Sequence, residues 1–585
     1  MRIKLAVQLI KGVPASPGVA IGKAYILSGN VVKVEQNNID DNQLQNEINK
    51  FKAAIEKTKN DLQKIQRNPK INIGKDGEKL FDVYQMLLED SFIIDETIDC
   101  ISKEKKNADF IYYTVMCKYQ KTLEAASDEF FAGRAADIRD VKRRVIRNIQ
   151  GKEHSFLARV SEKSIIIARE LTPIDTVQLN KNKVLAFVTD FGGRTSHAAI
   201  MAQSLQIPSV VGLTNISATI KTGDRIIVDG KKGEVIINPS EDLLEKYKKI
   251  QQKYHTLSKK LELIKELPCR TLDGKDIELS ANLEFPDEID SVFTFGANGI
   301  GLYRTEYLYL KKDELPTEDE EYEEYYKVAS RISPQPVIFR TLDIGGDKQP
   351  RCIHIPEEQN PFLGLRAIRL CLERQDIFRT QLRAILRASV VGNIKILLPM
   401  ICCVQEIHQV KIIISEVQQE LKKDNIPFDE SIDIGVMIEV PSAAIIADLI
   451  AKEVDFLSIG TNDLIQYSLA IDRGNEQIAH LYKELPLSVL RIIKSVVDAG
   501  HKQGVWVGMC GEMAGSPMAT IILLGIGLDE LSVTPSTLPQ IKTIIRSITF
   551  REAERIAEKV LQQPSSKDVE NFILNIMQKR FKEFI

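Results

Sequence analysis

Residues 454–463 read V-D-F-L-S-I-G-T-N-D. A short, mostly apolar run that stops at a glycine reads as a buried strand entering a turn. The turn delivers an amide, Asn462, and a carboxylate, Asp463. Seven other runs beyond Pro268 have the same texture: D-I-E-L-S-A-N, G-I-G-L-Y-R, P-V-I-F-R-T, I-K-I-L-L-P-M, I-G-V-M-I-E, V-W-V-G-M-C-G-E and D-E-L-S-V-T. Amphipathic stretches lie between most of them. Eight strands alternating with helices over about 315 residues predict a (β/α)8 barrel. Several runs end in a residue able to do chemistry: Arg304, Arg340, Glu439, Asn462, Asp463 and Cys510. A parallel barrel gathers the C-terminal ends of its strands on one face, so residues scattered along the chain are expected to converge there.

The rest of the chain has a different organisation. Residues 5–28 alternate apolar runs with Gly and Pro, which reads as short strands and turns. From Asp41 the positions Leu44, Ile48, Phe51, Ile55, Leu62 and Ile65 keep a four-three spacing, with Thr58 in the one polar gap. That predicts an amphipathic helix ending before Pro69. Helical patterns continue to about Gly151. Strand signals then return in S-I-I-I-A, K-V-L-A-F-V-T, P-S-V-V-G and R-I-I-V-D-G. The expected organisation is a discontinuous α/β domain over 1–32 and 151–238, an inserted helical domain over 33–150, a helical linker over 239–267 and the barrel over 268–585. In the linker, Leu243, Tyr247, Ile250, Tyr254, Leu257, Leu261 and Ile264 hold a heptad spacing. It is either a domain-packing helix or a semi-rigid arm about 30 Å long.

Composition narrows the function. The 585 residues are 44% hydrophobic and 27% charged, with a formal net charge of -3. No basic face of the kind nucleic acid requires is expected. No apolar run approaches the roughly 20 residues that span a bilayer, and Met1–Lys11 makes a poor signal peptide. The expectation is a soluble, cytoplasmic protein. The eight cysteines contain no C-x-x-C pair, and adjacent Cys402 and Cys403 are poorly placed to bridge each other. This pattern argues against a disulfide framework or a zinc site, and leaves each thiol except Cys510 as a small buried hydrophobe.

The chemistry divides between two regions. His197 lies in D-F-G-G-R-T-S-H-A-A-I-M-A. Gly192 and Gly193 permit close backbone approach, Thr195 or Ser196 can cap the helix that His197 opens, and Arg194 adds a cation. A helix N-terminus with a nearby cation suits a phosphoryl group on an imidazole. On the barrel face, Arg304, Arg340 and Arg473 favour a small ligand with several negative charges. Glu439 and Asp463 are hard carboxylates suited to Mg2+, which takes few protein ligands. A neutral Cys510 thiol can protonate an enolate carbon, with Glu512 as a competing acid.

Longer stretches carry a resemblance. The segments G-G-R-T-S-H-A-A-I-M-A (192–202), G-L-Y-R-T-E (301–306), R-T-L-D-I-G-G-D-K (340–348), N-P-F-L-G-L-R-A-I-R (360–369), I-G-T-N-D-L-I-Q-Y (459–467), D-R-G-N (472–475) and G-M-C-G-E-M-A-G (508–515) resemble enzyme I of the bacterial sugar phosphotransferase system, the phosphoenolpyruvate-protein phosphotransferases. The resemblance covers nearly the whole chain. It implies a swivelling phosphohistidine domain, an inserted helical domain and a TIM barrel that pairs as a homodimer. It further implies His197 as the phosphohistidine and Arg304 and Arg340 as phosphate-binding residues. Asn462 and Asp463 would contact substrate, Arg473 would bind its carboxylate, and Arg366 would lie near the site. Glu439 and Asp463 would be the Mg2+ ligands and Cys510 the proton donor. The implied reaction passes the phosphoryl group from phosphoenolpyruvate to His197 and on to the histidine phosphocarrier protein, driving sugar uptake. G-R-A-A-D-I-R-D-V (133–141) resembles the family's segment in the part that docks this carrier.

Two departures stand out: Gln203 occupies a position where relatives often have arginine, and L-Y-K-E-L-P-L-S-V-L (481–490) replaces a commoner proline-rich form. The alternatives are an enzyme like phosphoenolpyruvate synthase or pyruvate phosphate dikinase but lacking a nucleotide domain, a regulatory phosphocarrier, and a stand-alone barrel lyase or aldolase. The residues outside the shared parts read as helices without a Gly-rich phosphate loop, which disfavours the first.

Overall fold

Strands β9 to β16 of the computed structural model are the eight runs read from the sequence. They are Glu278–Leu283, Ile300–Arg304, Val337–Arg340, Ile394–Leu398, Asp433–Ile438, Phe456–Ile459, Trp506–Met509 and Glu530–Val533. All pair in parallel, and β16 closes onto β9. The structure describes all residues except 1–6, 28–33, 67–80, 82, 83, 125–128, 152–161, 172–182, 194, 195, 197, 200, 201, 203–206, 311–313, 347–349, 357, 473, 474, 476, 479, 480 and 585. The chain forms two compact units, Met1–Thr256 and Leu257–Ile585.

Strands buried on both faces need continuous apolar sequence, and the barrel strands supply it. Inside the barrel, Leu302, Ile338, Leu397, Met437 and Phe456 pack together with Cys510. Phe456 stacks on Trp506 with ring centroids 4.7 Å apart and planes 4° apart. The outer layer of helices buries a larger apolar set against the strands. One helix there, Glu318–Ile332, buries an acid. Glu321 is fully buried, accepts from the Tyr309 hydroxyl and leaves Oε2 without a partner among the described residues.

The N-terminal unit holds an eight-stranded sheet: β1 (Gln8–Lys11), β2 (Val13–Ser16), β3 (Val19–Ile26), β4 (Ser164–Ala168), β5 (Val184–Thr189), β6 (Ser209–Val211), β7 (Arg225–Asp229) and β8 (Glu234–Ile237). Its order is β1-β8-β7-β3-β4-β5-β6-β2. Strands β3 and β4 are parallel neighbours, with Lys23 opposite Ser164, although the whole helical segment lies between them in sequence. That segment is therefore an insertion. Its helices include α1 (Asp41–Gln66), α2 (Ser91–Glu104), α3 (Ala108–Glu124) and α4 (Glu129–Ile149), and they share one core containing Phe51, Tyr112, Met116 and Val145.

Two local features explain themselves. Thr58, the polar gap in the α1 stripe, is buried; its hydroxyl donates to the Ala54 carbonyl (2.7 Å) and accepts from Asn148 Nδ2 (2.8 Å). The hydroxyl in the gap is thus satisfied on both sides, as burial requires. Asp140, within the 133–141 stretch, is also buried. It accepts from Tyr84 Oη (3.0 Å) and Arg144 Nε (2.9 Å), and pairs with Arg143. Burial works against its charge, but Arg144 and Arg143 overcome that and hold the carboxyl well below its usual range. This residue braces α4.

Helix α5 (Glu241–Ile264) carries the heptad pattern. Its Leu244 and Tyr247 are buried with Val19, Ile227 and Ile236, and Ile250 and Tyr254 pack against the same cluster. Gln251 Nε2 donates to the Val19 carbonyl (3.1 Å). Packing onto the sheet describes its first half.

Burial raises the Glu321 carboxyl from 4.5 to about 8, against the hydrogen bond from Tyr309. The folded chain then keeps a proton that the unfolded chain releases above its own lower pKa. Stability from this group therefore declines as pH rises from about 4.5 to about 8. Glu321→Gln is expected to raise the urea midpoint at pH 8 more than at pH 5; an equal change at both pH values would contradict the assignment.

Candidate active site at the barrel mouth

The site begins with two arginines that end adjacent strands. Arg304 closes β10, Arg340 closes β11, and the two are directly opposite in the register. Like charges opposite each other on neighbouring strands repel. Arg340 is buried and donates from Nη2 to Glu306 Oε1 (2.6 Å), while Nη1 lies 3.1 Å from Asp343 Oδ2. Burial disfavours its charge, but Glu306, Asp343 and Glu439 outweigh that and hold it above the usual range. Arg304 pairs with Glu284. Burial and the Arg340 charge pull its guanidinium below the usual range. Both arginines keep a buried Nε without a partner among the described residues, and the Thr341 hydroxyl does the same. Unpaired buried donors are uncommon and each calls for an acceptor.

A second layer ties three segments together through Arg366, which follows the turn at 361–363. Its Nε and Nη2 donate to Asp343 (3.0 and 3.2 Å). Its Nη1 and Nη2 donate to Asp463 (2.9 and 3.3 Å), and Nη1 also donates to Tyr467 Oη (3.2 Å). Asp463 lies in the first turn of α6 (Thr461–Leu469), directly after β14. Glu439 follows β13, is fully buried and accepts from the Met400 N–H (2.7 Å). Its carboxyl is pushed up to about 8, first by burial and then by the charges of Asp463 and Asp343.

Cys510 follows β15 and is buried. The Ser458 hydroxyl donates to its sulfur (3.3 Å), and Asn282 Nδ2 donates to its carbonyl (2.9 Å). Burial pushes the thiol up to about 11, so it is neutral at pH 7. The reference value of a free thiol understates how firmly it keeps its proton. Two residues on, Glu512 and Asn462 hold each other: Asn462 Nδ2 donates to Glu512 Oε1 (3.1 Å), and the Glu512 N–H donates to Asn462 Oδ1 (2.9 Å). The turn between them admits only glycine, since a Cβ on Gly511 would lie 1.9 Å from Thr461 Oγ1 and 2.4 Å from its N.

The barrel mouth therefore brings together Arg304, Arg340, Arg366, Glu439, Asn462, Asp463 and Cys510. Arg473 and His197 lie outside the described residues. Around His197, Gly192 has φ +116°, Ser196 Oγ is buried without a partner among the described residues, and Ala198, Ala199 and Ala202 pack against the sheet. Sequence reasoning missed Glu306, Asp343, Tyr467 and Ser458. The first two lie two and three residues beyond a strand-ending arginine. An acid just past a strand-end cation was the signal that would have found them.

Arginines opposed across two strands, buried carboxylates and a neutral thiol thus share one barrel mouth. Residues 258–550 match the PEP-binding domain of the PEP-utilising enzymes, 11–134 their N-terminal domain and 160–233 their mobile domain. The phosphoenolpyruvate-protein phosphotransferase of Bacillus subtilis (strain 168) is 45% identical over 568 residues, covering 97% of this chain and 99% of that protein. Those of Bacillus sp. (strain S) and Geobacillus stearothermophilus are each 44% identical over 564 residues, covering 96% of this chain and 97% of theirs. The fold and site are those of a PEP-utilising enzyme. Within that class, the chain belongs to the phosphoenolpyruvate-protein phosphotransferases, the enzyme I family.

Removing Arg366 would leave the buried Asp463 without its guanidinium partner and Asp343 to Arg340. Arg366→Met is expected to destabilise the barrel by about 3–5 kcal/mol, the usual cost of breaking a buried ion pair from one side. A urea titration checks this, and an unchanged midpoint would show that the fork carries no structural load.

Proposed function

We propose that this chain takes the phosphoryl group of phosphoenolpyruvate onto His197 and passes it to a histidine phosphocarrier protein, serving sugar uptake. The observation that carries the reading is the pair of opposed arginines, each with a buried unpaired Nε, beside a buried neutral thiol. Phosphoenolpyruvate is a small trianion whose dephosphorylated form is an enolate in need of a proton. Arg304 and Arg340 are assigned to the phosphate, and Arg473 to the carboxylate by resemblance. Asn462, fixed by Glu512, lines the same mouth. Arg366 positions Asp463.

The donor set suits Mg2+. Glu439 and Asp463 are hard carboxylates of the kind Mg2+ takes, held on adjacent strand ends of one mouth. When bound, such a cation would neutralise charge on the transferring phosphoryl group. Arg304 and Arg340 hold that group while His197 attacks in line. The phosphorus–oxygen bond to the enol breaks, and its electron pair stays on the departing enolate. Cys510 then gives its proton to the enolate carbon, leaving pyruvate. A fixed cation environment lowers the barrel-mouth barrier because its donors are already oriented.

His197 must serve both the barrel and a second protein. That supports a division into a swivelling domain over 1–32 and 151–238, a carrier-docking helical domain over 33–150, a linker over 239–267 and the barrel over 268–585. We assign pairing of two copies to the barrel and the cytoplasm as the location. No helix among the described residues is long and apolar enough to cross a membrane.

Labelled phosphoenolpyruvate is expected to leave acid-labile phosphate on the chain and none on His197→Ala, which still binds the substrate. A phosphorylated His197→Ala would sink the assignment. Cys510→Ala is expected to slow pyruvate formation far more than it weakens phosphoenolpyruvate binding. Near-normal turnover would move the proton-donor role to Glu512 or water.

A further inference from the structure

The loop after β12 carries Cys402 and Cys403, and α7 (Val404–Lys423) starts immediately after it. The two sulfurs and a Glu406 carboxylate oxygen all lie within 4.8 Å of one another. Among the described residues, this is the sole group of three metal-capable side chains so close together. Neither thiol is in a disulfide, and all three residues are half-buried. Sequence spacing had made each cysteine a small buried hydrophobe and argued against a zinc site; the local fold gives these two a different setting.

Glu406 organises the group. Its Oε2 accepts from the N–H of Cys402 (2.7 Å) and of Cys403 (3.3 Å), and its Oε1 accepts from Cys402 Sγ (3.2 Å). The Cys402 carbonyl accepts from Ser442 Oγ (3.2 Å), which ties the loop to the segment after β13. The capping box at the start of α7 uses the Cys403 sulfur together with Glu406, and the Cys402 thiol leans on the same carboxylate. Cys403 occupies the cap position, where Ser, Thr, Asp or Asn would serve better.

We propose that Cys402, Cys403 and Glu406 form a binding site for a thiophilic divalent cation of the zinc type, with the fourth position open to water. Thiolate sulfur selects zinc-like ions, whereas Mg2+ and Ca2+ take oxygen ligands. Zinc–sulfur bonds of ~2.3 Å at a tetrahedral angle set two sulfurs about 3.8 Å apart, inside the 4.8 Å within which these ligand atoms lie. Binding replaces both thiol protons, which leave to solvent.

The test uses the full reduced chain after chelator washing. It is titrated with Zn2+ against a chromophoric chelator, and with Cd2+ while the ultraviolet sulfur-to-cadmium charge-transfer band is followed. One equivalent per chain is expected, with the band present. Cys402→Ser, Cys403→Ser and Glu406→Gln should each weaken binding ~10-fold or more, while Cys100→Ser leaves it unchanged. Serine caps a helix well, so the Cys402→Ser/Cys403→Ser double variant should keep its thermal melt. Absence of the equivalent in the parent chain, or its survival in the double variant, would overturn the proposal. The assay involves no phosphoenolpyruvate, so its outcome is independent of the function proposed above.

Discussion

The Arg366 guanidinium fork between Asp343 and Asp463 is the interaction on which the barrel mouth depends. It joins the loop after β11, the 361–363 turn and the first turn of α6. Two buried carboxylates without it would lose their charge or push apart. With it, Asp463 stays beside Glu439, and Asp343 stays beside Arg340. A planar fork with five donors can do this; a single ammonium could not reach all four oxygens. The price is a site crowded with buried charge, where burial first and then Asp463 and Asp343 push the Glu439 carboxyl up to about 8.

That crowding is what makes the mouth suited to a phosphorylated acid. Arg304 and Arg340 oppose each other and retain buried donors that nothing on the described chain accepts from. A resting site that leaves donors unpaired has lower stability than one that satisfies them, and the difference is recovered when an anion arrives. The neutral thiol completes the set. Burial that would be wasteful for a nucleophilic cysteine is appropriate for one that must hold a proton until an enolate appears beside it.

Much of this was legible in the sequence. The eight apolar runs marked the strands because buried parallel strands tolerate little else, and the residues at their ends marked the mouth because barrel topology leaves them no other place. Glu306, Asp343 and Tyr467 were not legible in the same way. Glu306 and Asp343 lie in loops, where no periodicity says which side chain turns inward, and Tyr467 lies on a helix too short for its pattern to single it out. Thr58 looked like a flaw in a helical stripe because its partner, Asn148, comes from a distant helix. Cys402 and Cys403 looked inert because adjacency argues against a mutual disulfide. It says nothing about a third ligand one helical turn on. The heptad in α5 signalled an apolar face, and only the fold shows that face lying on the sheet.

The most direct measurement is a count of pyruvate from the purified chain given Mg2+ and phosphoenolpyruvate, without acceptor protein or nucleotide. The account predicts a burst of about one pyruvate per chain that then stops, because the phosphoryl group waits on the protein. Continuous release would contradict it and indicate a hydrolase or lyase. Release that appears only after nucleotide is added would contradict it too, in favour of a dikinase-like reaction.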